Sequence, residues 1–145
     1  MKYMIIGGVA GGASTAARLR RLDEQAEIIL FEKGEYISYA NCGLPYYIGG
    51  VIEERERLFV QTPESFKARF NIEVRIKSEV KAIEPENKQV VIKDWATGKT
   101  YRESFDKLVL SPGAEPVLPP WEGIRTEGIF TLRNVADTDR IKAWA

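Results

Sequence analysis

The chain of 145 residues contains no histidine and a single cysteine, Cys42. With one thiol and no imidazole it lacks the cysteine and histidine ligands on which most protein zinc sites depend, so no metal site is expected. A lone cysteine also excludes an internal disulfide. Lys+Arg and Asp+Glu are equal at 21 each, so no bulk field favours nucleic acid or an anionic membrane. No apolar run approaches the roughly 20 residues of a membrane span. The start, Met1-Lys2-Tyr3-Met4-Ile5-Ile6, meets glycines before a signal-peptide core can form. A cytoplasmic location is the expectation. What remains is ordinary for a soluble domain: 44% hydrophobic and 29% charged residues, in a length that gives at most one domain.

Three stretches differ in pattern. Residues 2–32 read as strand, turn, helix, strand. Tyr3 to Ile6 and Ile28 to Phe31 are short apolar runs of the kind buried on both faces of a parallel sheet. Between them Ala13 to Leu22 forms a helix whose Ala13, Ala16, Ala17 and Leu19/Arg20 give a small-residue face that can lie close to a sheet. Residues 33–72 are irregular, apart from short helix 44–48 and a helix capped at Thr62 with Pro63 in its first turn. Residues 73–118 are β-rich, with turns at Glu86-Asn87 and Thr97-Gly98-Lys99. Lys107 to Leu110 reads as a further buried strand, stopped by Ser111-Pro112-Gly113. After Pro116 to Pro120, Asn134-Val135-Ala136-Asp137 begins another helix. The class is α/β: a Rossmann-like βαβ with a three-stranded β-meander.

Glycines between strand and helix let backbone N–H groups approach a pyrophosphate, whose charge the helix N-terminus favours. Gly7 and Gly12 take the first and last positions of the G-x-G-x-x-G pattern, but Val9 takes the middle one. Twenty residues past Gly12, Glu32 ends the second strand, where an acid bonds ribose hydroxyls. The plainer alternative is a tight α/β turn with Glu32 as a solvated strand end.

Cys42 lies in Ser38-Tyr39-Ala40-Asn41-Cys42-Gly43-Leu44-Pro45-Tyr46. A free cysteine is most often a small buried hydrophobe. Here Asn41, Gly43 and Pro45 suit neither a strand nor a helix interior, Ser38 and Asn41 offer donors to a thiolate, and a helix over 44–48 would follow the thiol. Both readings, buried filler and reactive thiol, stand on the residues alone.

The blocks Gly7 to Ala13, Glu32-Lys33, Ser38 to Tyr46 and Leu110-Ser111-Pro112-Gly113-Ala114, with Phe130 to Asn134, resemble the coenzyme A-disulfide reductases. These are single-cysteine flavoenzymes of the pyridine nucleotide–disulfide oxidoreductases, related to NADH oxidases and CoA persulfide reductases. Valine at the middle glycine position is usual in that group. The resemblance implies FAD as cofactor, NAD(P)H (NADH or NADPH) as co-substrate and CoA disulfide, persulfide or polysulfide as substrate, reduced through a Cys42–CoA mixed disulfide. It also implies a longer homodimeric parent with a two-segment FAD domain. Residues 1–118 would be the first FAD segment, with the reactive-cysteine loop at 33–50. Residues 119–145 would be a linker and the start of an NAD(P)H domain whose own site is missing here. On that footing the 145 residues form an incomplete FAD domain. They should be inactive alone, hold FAD weakly, and leave a sheet edge and an apolar face open to self-association.

Carried over by position, the resemblance gives Cys42 as redox nucleophile. Gly7, Ala10, Gly11 and Gly12 fall at the pyrophosphate, Glu32 and Lys33 at the adenosine ribose, and Val80 at adenine. Ser111 and Gly113 line the crossing back to the cofactor, with Arg133 a further cofactor contact. Ser14, Arg18, Arg21, Ser38 and Asn41 fall at CoA. Arg18 and Arg21 share one helix face and can fork a phosphate, or be a solvated basic face, as Arg20 is read to be. Val80 can equally be core. Phe70 stands where a relative has a CoA-contacting lysine, which would shift that contact to Arg69 or Lys67. Peroxidase relatives, whose cysteine cycles through a sulfenic acid, carry histidine at the position of Ala10. The absence of histidine sets that rival behind disulfide or persulfide reduction. The distant rival is a non-catalytic nucleotide-binding module.

Overall fold

A computed structural model describes all 145 residues, Met1–Ala145. They divide into two compact units, each drawn from two stretches of chain: Met1–Tyr39 with Gln61–Pro112, and Ala40–Val60 with Gly113–Ala145.

The first unit contains β1 (Lys2–Ile6), α1 (Ala10–Leu22), β2 (Glu27–Phe31), α3 (Pro63–Phe70), β3 (Glu73–Arg75), β4 (Ser78–Glu84), β5 (Gln89–Asp94), β6 (Thr100–Ser104) and β7 (Lys107–Leu110). α2 belongs to the second unit. A parallel sheet runs β3-β2-β1-β7, and an antiparallel meander runs β4-β5-β6. Strand alternation sorts the side chains into two cores. Ile5, Ile28 and Leu30 pack with Ala13 and Ala16 of α1, Phe66 of α3 and Ile72. Met4, Ile29 and Phe31 point to the other face and meet Val90 and Ile92 of the meander. Three layers result: helices, parallel sheet, meander. Each fully buried aliphatic contributes about 1.5–3 kcal/mol.

The meander is also tied to the parallel sheet by charge. Arg75 lies over the rings of Phe31 and Tyr101 and donates to Glu103 at 2.7 Å, while Lys2 donates to the other Glu103 oxygen at 2.6 Å. Burial works against the charges of Lys2 and Glu103, but the bonds between them, joined by Glu27 and Arg75, outweigh it. Lys2 is held above its ordinary pKa and Glu103 below.

Several expectations shift. α1 begins at Ala10 rather than Ala13, because the chain turns helical at the glycines themselves. Within the β-rich stretch, Glu73–Arg75 joins the parallel sheet beside β2, and β6 supplies the meander's third strand. β7 is not a buried strand but the outer edge of its sheet, with Leu110 exposed. Thr62 caps α3 through a reciprocal box with Ser65, as its sequence signature predicts.

The second unit holds a 3-10 turn at Asn41–Gly43, then α2 (Leu44–Ile48), a second 3-10 turn at Arg55–Leu58, and α4 (Val135–Trp144). Asn134 caps α4, and Asp137 answers by accepting from the N–H groups of Arg133 and Asn134. No helix in either unit is long and apolar enough to cross a membrane.

Candidate functional site

The glycine turn joins β1 to α1 in the first unit. Gly7 has φ +97°, a backbone state that side chains rarely adopt, and a Cβ there would overlap the Ser111 carbonyl. A Cβ on Gly12 would overlap the Gly7 carbonyl oxygen and press on Ile5. Gly7 therefore serves the close approach of the backbone after β7, and Gly12 that of α1 to β1. Gly11 is different. It is exposed in the first turn of α1, beside Ala10. A Cβ there would meet only the Ser111 side chain, at 3.2 Å from its hydroxyl oxygen. Glycine in a helix costs about 1 kcal/mol against alanine, and the fold gains nothing from that cost here. Space kept clear at a helix N-terminus fits a ligand phosphate.

Glu32 sits at the end of β2 and grips the loop. Its Oε2 accepts from the Gly8 N–H and its Oε1 from the Gly34 N–H, both at 2.8 Å. Ser38, at φ +46°, donates its N–H to the Gly8 carbonyl at 2.9 Å. Gly8 is thus held by both Glu32 and Ser38, and neither Gly8 nor Gly34 was singled out in the sequence. The signal was the glycine two residues past the acid, which lets the chain turn back onto its carboxylate. Lys33 is exposed, and its charge reaches Glu79 on β4. Burial raises the Glu79 carboxyl, but bonds from Lys81 and Trp95, with the Lys33 charge, bring it below the usual range. Val80 follows Glu79 at a β-bulge and packs against the second core. Bulges re-aim the backbone next to binding sites. Glu32, Lys33 and Val80 are therefore gathered at one end of the first unit.

On α1, Ser14, Arg18 and Arg21 are all exposed and spaced to share one face. Arg21 Nε also donates to the Ala17 carbonyl. Arg20 is not the solvated charge expected of it. It donates to the carbonyls of Phe70, Asn71, Asp23 and Glu24 at 2.6–3.2 Å. One guanidinium thus closes the C-terminal ends of both α1 and α3. A fork of five donors can serve four carbonyls where a lysine cannot. Of the two residues expected to take over the contact missing at Phe70, Lys67 bonds the Asn71 side chain and Arg69 lies over the Phe70 ring.

In the second unit Cys42 is exposed, which removes the reading of a buried filler. Its 3-10 turn is closed by the Gly43 N–H bond to the Ala40 carbonyl. Gly43 is buried so closely that a Cβ would press on Leu58, Ile52 and Ala40. Asn41 beside it is half-buried. Gly113, at φ +74°, and Arg133 come together: Arg133 Nε donates to the Ala114 carbonyl at 2.6 Å, and its Nη2 lies where a Gly113 Cβ would crowd it. Ser111, by contrast, stays with the glycine turn of the first unit.

A parallel βαβ unit with a glycine turn at a helix N-terminus and an acid ending the second strand is the Rossmann-type arrangement, the fold class of dinucleotide-binding proteins. The chain belongs to the pyridine nucleotide-disulphide oxidoreductase family, which it matches over residues 1–144. It is 46% identical over 140 residues to the coenzyme A disulfide reductase of Staphylococcus aureus, covering 97% of this chain and 31% of the relative. Among solved structures it resembles reduced CoADR-RHD from Bacillus anthracis, with a TM-score of 0.96, 60% identity, and coverage of 99% of this chain and 26% of the other. It also resembles an NAD-dependent persulfide reductase from A. fulgidus, with a TM-score of 0.92, 37% identity, and coverage of 99% and 27%. The chain therefore spans about a third or less of the proteins it matches.

Proposed function

We propose that this chain is the flavin-holding and thiol-bearing part of an NAD(P)H-driven, FAD-dependent reductase of CoA disulfide or CoA persulfide. The observation that carries the proposal is the exposed thiol of Cys42 in a chain with no second cysteine. No partner for that thiol lies within these 145 residues, so any disulfide it forms takes its sulfur from outside them. The similarity to coenzyme A disulfide and persulfide reductases supports CoA as the source of that sulfur.

The residues present fit FAD: Gly11 leaves clear space at the N-terminus of α1, and Glu32 lies where ribose hydroxyls are read. Gly7, Ala10, Gly11 and Gly12 would hold the pyrophosphate, Glu32 and Lys33 the adenosine ribose, Val80 the adenine through its backbone, and Ser111, Gly113 and Arg133 the flavin side. Ser14, Arg18 and Arg21 would bind CoA phosphates, and Ser38 and Asn41 its pantetheine end. The Cys42 thiolate attacks one sulfur of CoA disulfide; a Cys42–CoA bond forms, the S–S bond breaks, and a CoA thiolate leaves. A bound flavin would supply the electron pair, drawn from NAD(P)H, that reopens the mixed disulfide and releases the second CoA. The parent would be a cytoplasmic homodimer.

The test is anaerobic NAD(P)H oxidation by the full-length protein with CoA disulfide as sole acceptor. Turnover that disappears in Cys42→Ser supports the proposal. Turnover with persulfide alone narrows the substrate, whereas turnover only with peroxide or oxygen overturns disulfide reduction.

A further inference from the structure

The turn that carries Cys42 sits in a closed ring of ties within the second unit. On one side, the Ala40 N–H donates to the Leu58 carbonyl at 2.7 Å, and Leu58 lies against Gly43. The 3-10 turn holding Leu58 also holds Arg55, whose Nε and Nη2 grip both Asp139 oxygens on α4 at 2.9 and 2.7 Å. Three residues on along α4, Lys142 Nζ lies 4.0 Å from the centre of the Tyr47 ring and donates to the Tyr47 carbonyl at 2.7 Å. Tyr47 is on α2, which starts two residues after the thiol. A cation on the last carbonyls of a helix stabilises that end, and an ammonium over a ring adds to it. A five-residue helix is too short to hold itself, so its position depends on such outside ties.

We infer that Lys142 and Asp139 are positioning residues for the Cys42 sulfur. α4 thereby reaches the turn from both sides, through Tyr47 and through Arg55. The inference rests on Cys42 being the redox nucleophile.

The test compares Lys142→Met, Lys142→Arg and Asp139→Asn in the full-length holoprotein. Amide exchange in residues 41–50 should speed about tenfold in Lys142→Met and in Asp139→Asn, as local opening becomes easier. Turnover number with CoA disulfide should fall about tenfold with KM within about twofold, the mark of a misplaced reacting group rather than lost binding. Lys142→Arg keeps the cation and should restore both. Exchange and turnover like wild type in Lys142→Met overturn the inference. So does general loss of melting temperature and flavin in both disruptive variants, since the ties would then hold the fold and not the thiol. Full activity in Cys42→Ser instead sinks the nucleophile itself, and the exchange data tell the two failures apart.

Discussion

Alanine at position 11 and alanine at position 12 should have opposite consequences, although the two glycines are neighbours in one helical turn. Either change gains about 1 kcal/mol of helix propensity. At Gly12 that gain is overwhelmed. The new Cβ would overlap the Gly7 carbonyl oxygen, with Gly7 C at 3.0 Å and Ile5 Cγ2 at 3.1 Å, and backbone cannot rotate aside as a side chain can. Overpacking of this kind costs about 1–3 kcal/mol or more. With the Cβ only 1.8 Å from a backbone oxygen, the cost lies at or above the top of that range, so the net loss is about 2 kcal/mol or more and the melting temperature falls. At Gly11 only the Ser111 side chain is near, and its hydroxyl can turn away. Gly11→Ala should melt at or slightly above the wild-type temperature. If a pyrophosphate occupies the space, the same methyl group stands in its path. A clash of about 1–3 kcal/mol then weakens FAD about five- to 150-fold. Circular dichroism melts and flavin titration of the deflavinated full-length protein read both effects. Wild-type flavin affinity in a stable Gly11→Ala would refute the cradle, and an unaffected Gly12→Ala would refute the packing argument.

Arg20→Met leaves four carbonyls without their shared donor and should cost about 2–3 kcal/mol in urea melts, with Arg20→Lys recovering only part; a neutral Arg20→Met would show that water replaces the guanidinium. Glu103→Gln should cost about 1–3 kcal/mol at neutral pH. Because the folded state holds this carboxyl below its ordinary value of 4.5, its contribution is complete above that value and fades as pH falls through the lower folded one. The gap between wild type and variant should close in acid, and a gap independent of pH would refute the linkage. The 145-residue chain alone should purify with little or no FAD; a stoichiometric flavin spectrum would show that its residues suffice.

The parts of this chain that can be read in one dimension are those where a local rule and the fold agree. The apolar runs at Tyr3 and Ile28, the Thr62 and Asn134 caps and the short helix after Cys42 each carry their own signature within a few residues. The pattern spacing reaches Gly7 and Gly12 but not Gly11, whose expected place beside a phosphate comes from the family resemblance, and only the open space around it separates it from Gly12, whose smallness the fold uses. Arg20 could not be read at all. Its acceptors Phe70 and Asn71 lie 50 and 51 residues away, and on the helix face it looks like any solvated arginine. β7 misled for a related reason: Leu108 and Val109 are apolar enough for an interior strand, while edge position is a property of the whole sheet.

The interleaving of the two units also sets an order in time. Tyr47 and Lys142 stand 95 residues apart, so a ribosome adding about 5–20 residues per second needs on the order of 5–20 s to go from one to the other. The thiol-bearing turn leaves the ribosome ahead of α4 by an interval of that order, and Cys42 meets the cell's thiols and oxidants before the ties from α4 exist.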